Sequence, residues 1–254
     1  MMKKYELTQN SIKINNRTLY QIKALKDFGS VKKGDLGGYI ESEKNLSYDG
    51  NCWVSGNAHV YGNALVSGNA QVFESARVSG NALVSGNARV FRSAQIFEKA
   101  WVSGNAKVYG NAKVYGNALV FDNARIHENA QVCENTRVSE DAEISGNAQV
   151  SGNVQVSGNA LVYDNAKVYG NASVSGDAQV YDNAWVYGNT HIFKNAHVYG
   201  NAHLGNVPVN FDCDFDPYKT LKEILNCPEI FFVLSGLNKN LDKLISTILT
   251  KTST

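Results

Sequence analysis

Histidines are the side chains of this sequence best suited to acid–base or metal chemistry, and there are five: His59, His127, His191, His197 and His203. The last three are spaced by six residues, which places them on three different faces of the repeat described below, so they cannot converge on one metal ion within a subunit. A general base needs a partner and a pocket. His127, with Arg125 two residues before it and Glu128 directly after it, is the candidate catalytic base.

The sequence gives little support for metal, redox, phosphate-binding or nucleophilic sites. The cysteines are scattered, without the spacing of a metal or redox site: Cys52, Cys133, Cys213 and Cys227. The many glycines do not form a phosphate-binding loop, and neither a nucleophile elbow nor a pair of catalytic carboxylates is present. The net charge of +1 gives no general argument for nucleic acid. We therefore predict no metal site and no cofactor.

The histidines belong to a six-residue repeat, Val-Ser-Gly-Asn-Ala-x, which begins at Val54 and continues without insertion or deletion to a 25th copy at residues 198–203. The first position is always Val or Ile, and the fifth is Ala in 22 copies. Reading Ala-x-Val-Ser as a strand with alternating side chains places Ala and Val inside and the other two positions outside. The Gly-Asn pair then forms a corner, with Asn tolerating a left-handed backbone.

A longer period shows how many sides each coil has. Taken every 18 residues, the second positions of the repeat form one series that is mainly serine and two that are mainly aromatic. This pattern predicts a three-sided parallel β-solenoid of roughly eight coils. The aromatic positions of one series are candidate binding residues: Phe73, Phe91, Tyr109, Tyr163, Tyr181 and Tyr199.

The pattern aliphatic-x-x-Asn-Ala-x resembles the hexapeptide repeat of the left-handed parallel β-helix, the fold of the bacterial hexapeptide transferases and γ-class carbonic anhydrases. The resemblance covers about three fifths of the chain. It implies a left-handed coil, whereas the usual crossover rule predicts the opposite hand. The very regular Val-Ser-Gly-Asn-Ala form is more similar to bacterial and phage or prophage accessory proteins than to the catalytic members.

Three domains are predicted. Residues 1–39 form an N-terminal β cap, in which a hairpin turning at residues 15–17 covers the first coil. Residues 40–206 form the solenoid, and residues 207–254 form a helical tail that begins at Asp216–Pro217. The basic residues of the cap, such as Lys3 and Lys4, are interpreted as a solvated face, with contact to an acidic partner as the alternative.

The outward x positions of the serine series carry a stripe of large apolar residues over the first half of the solenoid: Leu65, Leu83, Trp101 and Leu119. Exposed apolar stripes mark contacts. Either a segment of the same chain covers this stripe, or a second subunit or partner does. Aromatic residues beside cations can also stack on bases, but acidic corners such as Glu134 dilute the positive charge, which makes nucleic acid an unlikely partner.

These features favour a non-catalytic binding or scaffold protein that contacts another macromolecule, such as a phage accessory protein that inhibits a host protein. It would self-associate through the apolar stripe or through the helical tail. The alternative is an acyltransferase similar to the hexapeptide family. That resemblance implies a general-base His at a trimer interface, with acetyl-CoA as the acyl donor, although here no loop interrupts the repeats. The chain begins without an apolar leader, which predicts a cytoplasmic protein with no membrane contact.

Overall fold

The computed structural model describes residues 3–206, together with the backbone of residues 208–209 and 214–215. Over this range the chain is an all-β parallel solenoid of about nine turns with three sheets, and its only helix is one short 3-10 turn. The three-sided architecture predicted from the 18-residue period is confirmed. The left-handed coiling stays a prediction, because the order of the strands does not fix the hand.

The elements are short, and most strands hold only the x residue and the following aliphatic residue. In chain order they are β1 Tyr5–Ile14, β2 Arg17–Ala24, β3 Leu36–Ile40, the 3-10 helix Glu43–Asn45, β4 Trp53–Val54, β5 His59–Val60, β6 Leu65–Val66, β7 Gln71–Val72, β8 Arg77–Val78, β9 Leu83–Val84, β10 Arg89–Val90, β11 Gln95–Ile96, β12 Trp101–Val102, β13 Lys107–Val108, β14 Lys113–Val114, β15 Leu119–Val120, β16 Arg125–Ile126, β17 Gln131–Val132, β18 Arg137–Val138, β19 Glu143–Ile144, β20 Gln149–Val150, β21 Gln155–Val156, β22 Leu161–Val162, β23 Lys167–Val168, β24 Ser173–Val174, β25 Gln179–Val180, β26 Trp185–Tyr187, β27 His191–Ile192, β28 His197–Val198, β29 His203–Gly205, β30 Pro208–Val209 and β31 Asp214–Phe215.

From β4 to β29 every third strand belongs to the same sheet, so each residue of these strands pairs with the residue 18 positions along. The hairpin face is the twelve-stranded sheet β1-β2-β3-β5-β8-β11-β14-β17-β20-β23-β26-β29. The ladder face is the ten-stranded sheet that runs from β4 through β7 and β10 to β31, and the serine face is the nine-stranded sheet that runs from β6 through β9 and β12 to β30.

The core is built from the first and fifth positions of the repeat, as predicted. The Val, Ile and Ala side chains of the repeat are almost completely buried along the described solenoid. Where Thr136 and Thr190 replace Ala, each hydroxyl donates to a backbone carbonyl three residues earlier, at 2.7 Å and 2.6 Å. A buried hydroxyl is tolerated only when it is hydrogen-bonded in this way.

The corners differ from the prediction in one respect. The left-handed residue is the third position, not the Asn at the fourth, and it is Gly in most copies but Glu, Asp, Arg or Lys in others. The Asn side chains instead form a hydrogen-bonded ladder across coils, for example from the Asn111 amide to Asn129 at 3.0 Å and from the Asn129 amide to Asn147 at 3.0 Å. A glycine is favoured at the third position because it carries no Cβ penalty at positive φ.

The N-terminal hairpin is confirmed. Asn15 and Asn16, both at positive φ, form the two-residue turn between β1 and β2, a conformation that suits the twist of a hairpin. β2 pairs with β3, and β3 in turn pairs in parallel with β5, so the hairpin extends the hairpin face at its first edge. An edge strand of the solenoid is thereby covered.

The first two lysines of the cap differ in their exposure, and one of them contradicts the predicted solvated face. Lys4 was expected on a solvated face, but its side chain is buried, and its ammonium donates to the carbonyl oxygens of Gly50 at 3.2 Å and Cys52 at 3.0 Å. The ammonium also lies 4.8 Å from the centre of the Phe28 ring. Lys3 forms an exposed ion pair with Glu43 at 2.6 Å.

At the other end, the backbone of residues 208–209 and 214–215 continues the serine and ladder faces. The register there changes from 18 to 17 residues, since His191 pairs with Pro208 and His197 pairs with Asp214. The helical tail predicted from Asp216 onward lies outside the described residues.

Candidate interaction surfaces

The apolar stripe lies on the serine face as four neighbouring residues in register. Leu65 pairs with Leu83, and Trp101 pairs with both Leu83 and Leu119. The three leucines are half-buried, whereas Trp101 is 44% exposed. Serine follows the first three of these strands, at Ser67, Ser85 and Ser103, and Phe121 follows the fourth.

The Trp101 indole is held in place and borders a groove. Its Nε1 donates to the hydroxyl of Ser85, one coil earlier, at 3.0 Å. On the other side a groove of about 330 Å³ lies between Trp101, Leu119 and Phe121. Phe121 was not among the predicted binding residues. The signal for it was available in the sequence, because it is the single aromatic residue in the first half of the serine series.

The predicted binding aromatics of the ladder face form two stacks. In the first, the rings of Phe73, Phe91, Tyr109 and His127 lie 4.9, 4.9 and 4.7 Å apart, with interplanar angles of 3 to 6°. In the second, the rings of Tyr163, Tyr181 and Tyr199 lie 4.9 and 5.2 Å apart. Within each stack the ring faces are occupied by neighbouring rings, so the ladder offers ring edges to a partner.

Arginines accompany the first stack. The guanidinium of Arg89 lies 5.2 Å from the centre of the Phe73 ring, and that of Arg92 lies 5.7 Å from the Tyr109 ring. These distances are within the range of cation–π contacts. Stacking of nucleic-acid bases within these stacks would require ring faces that neighbouring rings already use.

His127 has an acidic partner, but not the one next to it in sequence. Its Nε2 lies 2.9 Å from Oε1 of Glu143, and Arg125 lies 3.6 Å from the other oxygen of that carboxylate. Glu128 instead accepts a hydrogen bond from the backbone N–H of Gly146 at 2.6 Å. Glu143 was missed because it lies 16 residues ahead, and only the coil geometry brings it over His127. The side chain of His127 is 15% exposed.

Burial shifts several titratable groups away from their ordinary behaviour. On the hairpin face, a hydrogen bond with Cys133, together with burial, raises the pKa of Tyr115 to about 12. Burial raises the pKa of the Cys133 thiol and of the Tyr109 phenol. Burial, with the nearby Arg77 charge, lowers the pKa of His59. These side chains therefore favour their neutral forms near neutral pH.

The other histidines are distributed as predicted. His191 lies on the serine face, His197 on the ladder face and His203 on the hairpin face. Within the described part of the chain, no group of three or more His, Cys, Asp or Glu side chains could hold a metal ion. Cys52 is buried in the first coil, and burial raises the pKa of its thiol.

Comparison with known proteins supports the fold. The family model described as YdcK Beta solenoid repeat matches residues 58–74, 112–128, 154–166 and 178–193. All four segments lie within the solenoid. No curated protein matches the chain in sequence. The chain is a β-solenoid repeat protein. In the residues that the structure describes, no helix has the length and apolar character needed to span a membrane.

Proposed function

We propose that this solenoid is a non-catalytic binding or scaffold protein that self-associates through the apolar stripe of its serine face. The observation that carries the proposal is the unbroken register of Leu65, Leu83, Trp101 and Leu119, with Trp101 exposed beside a groove that a partner side chain can fill. Aromatic anchors next to a groove are typical of binding hot spots. The occupant that we propose is the same stripe of a second copy, because a self-complementary patch pairs about a two-fold axis.

The size of the stripe predicts how strong this association is. Four strands at about 4.8 Å spacing and about four residues in width cover roughly 200 Å² of flat face. A standard stable interface buries about 800 Å² per partner. We therefore expect a weak and reversible dimer, unless residues outside the stripe add to the contact.

The remaining faces suit a different macromolecule. The ring edges of the ladder face, with Arg89 and Arg92 beside them, present an amphipathic, cationic surface to a protein partner. A phage accessory protein that inhibits a host protein would belong to this class. In self-association and in binding to another protein, the solenoid acts as a rigid support, since its core is formed by Ala, Val and Ile side chains and needs no ligand.

Replacing Leu83 and Trp101 with Glu tests the self-association. The double variant L83E/W101E places two carboxylates in the stripe, and in a dimer they would face apolar side chains, so we expect it to remain monomeric at concentrations where the wild type associates. The matched control is Q155E/S173E, which adds the same charge to the polar half of the same face. Light scattering that finds equal masses for the wild type and L83E/W101E would disprove this interface.

A second candidate function has one specific observation in its favour, the 2.9 Å contact between His127 and Glu143. A carboxylate that orients an imidazole is part of general-base catalysis, and an acyltransferase working at a subunit interface would use it to activate an acceptor. The ladder face around His127 would need a second subunit to complete a site for acetyl-CoA.

Acetyl-CoA binding tests this alternative. If the second function is correct, acetyl-CoA binds saturably and acetyl transfer falls by about 100-fold or more in the H127A variant. The E143Q variant, which keeps the shape of the side chain but removes its charge, separates the role of the carboxylate from a loss of packing. Activity that survives in H127A would exclude His127 as the base.

A further inference from the structure

The stacked side chains of the hairpin face are interrupted near the cap at Ser79 and again farther along at Cys133 and Ser151. The residues that follow strands β5, β8, β11 and β14 are Tyr61, Ser79, Phe97 and Tyr115, and the rings of Phe97 and Tyr115 are stacked at 4.8 Å with an interplanar angle of 4°. Ser79 occupies the ladder position between Tyr61 and Phe97. These two rings are therefore separated by two coil spacings, about 9.6 Å, and one ring is missing between them.

Two cavities meet at this gap. One, of about 290 Å³, lies between Tyr61, Ser79 and Phe97, and the tip of the hairpin at Asn15 lies over it. The other, of about 470 Å³, borders Tyr61 and Ser79 from the corner side and reaches Arg17 and Lys44 of the cap region. Since Tyr61 and Ser79 line both cavities, the gap in the ladder lies at the junction between them.

The charges around the gap are mainly positive. Arg17 is paired with Glu41, whose oxygens lie 2.8 and 2.9 Å from its Nη1, and Glu41 also accepts the backbone N–H of Gly62 at 2.6 Å. The two other cations at the cavities are exposed: Lys44 and Arg77. Over residues 3–206, no carboxylate lies within ion-pair distance of either one. An anion at the gap would therefore meet two cations whose charge is not already neutralised by a contact.

A gap of a single ring on the ladder face has different surroundings. On the ladder face, Ser145 lies between His127 and Tyr163 in the same way. Its neighbour Glu143 is already engaged with His127 and Arg125, and it places a carboxylate beside that gap. The hairpin face also has a wider gap, because two consecutive ladder positions, Cys133 and Ser151, carry no ring. Ser79 therefore marks a gap of a single ring that lies beside two cavities and two exposed cations.

We propose that the gap at Ser79 binds a small planar aromatic ring that carries an anionic group. The ring takes the place of the missing ladder member and stacks between Tyr61 and Phe97, in the geometry that Phe97 and Tyr115 already adopt. The anionic group lies toward Arg77 on one side or Lys44 on the other. This site is on a different face from the apolar stripe, so it does not depend on the proposed self-association.

Ligand-observed NMR titration of the full chain tests the site with two pairs of probes: indole-3-carboxylate with indole, and AMP with adenosine. We expect at least one anionic probe to bind, about tenfold or more tightly than its neutral counterpart. Binding of the carboxylate alone indicates a small aromatic acid as ligand, whereas binding of AMP alone indicates a nucleotide. If neither anionic probe binds to the wild-type protein, the proposal is wrong.

Two matched variants locate the site. S79F fills the gap with the missing ring, so we expect it to lower the affinity by about tenfold or more while raising the melting temperature. S157F makes the same change on the serine face, where Ser157 lies between Ser139 and Ser175, and should bind as the wild type does. R77Q should reduce the preference for the anionic probe. Wild-type affinity in S79F, or equal losses in S79F and S157F, would overturn the assignment.

Discussion

At the corners of the solenoid, single residues are constrained by the coil above them. The third position of the repeat has positive φ, and at many glycines a Cβ atom would approach the backbone of the next coil. Where Glu occupies this position, its carboxylate can accept the N–H of the next corner, as Glu140 does from Gly158 at 2.7 Å. Most corners therefore carry either glycine or an acidic side chain that can satisfy the neighbouring coil, with Arg92 and Lys194 as exceptions.

Gly104 is the position where this constraint is most easily measured. Its φ is +64°, and an added Cβ would lie 2.6 Å from the backbone nitrogen of Asp122. We expect Gly104→Ala to lower the free energy of unfolding by about 2 kcal/mol or more, from the left-handed backbone and the close approach together. Chemical denaturation followed by circular dichroism measures the change.

Gly62→Ala is the control for Gly104→Ala. The φ of Gly62 is +71°, but an added Cβ would lie 3.1 Å from the nearest atom, the carbonyl oxygen of Gly80. This variant should therefore show mainly the backbone penalty, about 1 kcal/mol. Equal losses in the two variants would show that contact between coils does not determine the choice of glycine.

Among the elements, the N-terminal cap combines a predicted hairpin with contacts that the sequence did not reveal. The Tyr5 hydroxyl donates to the carbonyl of Leu46 at 2.8 Å and is 3.1 Å from that of Glu43, and its ring is stacked on Tyr48 at 4.8 Å. Burial raises the pKa of Tyr5, so the phenol stays neutral and remains a donor. The cap is thus attached to the first coil through buried polar contacts as well as by strand pairing.

Replacing Tyr5 with Phe should loosen this attachment. The variant leaves the buried Leu46 carbonyl without its donor, which costs about 1–3 kcal/mol. We expect faster amide hydrogen exchange in β1, β2 and β3 and little change in the middle of the solenoid. Tyr20→Phe, on a half-buried tyrosine of the same hairpin, is the control. A loss of protection along the whole solenoid would contradict the interpretation of the cap as a separate cooperative unit.

Much of the fold followed from the sequence because the repeat specifies the same local structure 25 times. Period two along each strand placed Ala and Val inside, and the period of 18 assigned each outward residue to a face. Side-chain contacts between different coils, or between the cap and the first coil, could not be predicted from these two periods. Glu143 reaches His127 only because adjacent coils lie close together, and Lys4 is buried only because the first coil presents carbonyl oxygens to it.

For the molecule as a whole, the three faces differ in what they offer a partner. The serine face carries the apolar stripe, the ladder face offers ring edges with cations, and the hairpin face has a gap in its ladder beside the cap. The core is similar along the whole rod, so these differences lie in the outward positions alone. Surface patterning on a uniform support is therefore the basis of the proposed function, and self-association through the stripe is its first requirement.

Sedimentation equilibrium of the wild-type chain over a wide concentration range tests that claim most directly. We expect a reversible rise in average mass from 27.7 kDa toward twice that value, because the stripe is self-complementary but small. A mass of 27.7 kDa at every concentration would contradict self-association through the stripe. A stable trimer would also contradict it, and would favour the acyltransferase alternative, which requires a site between subunits.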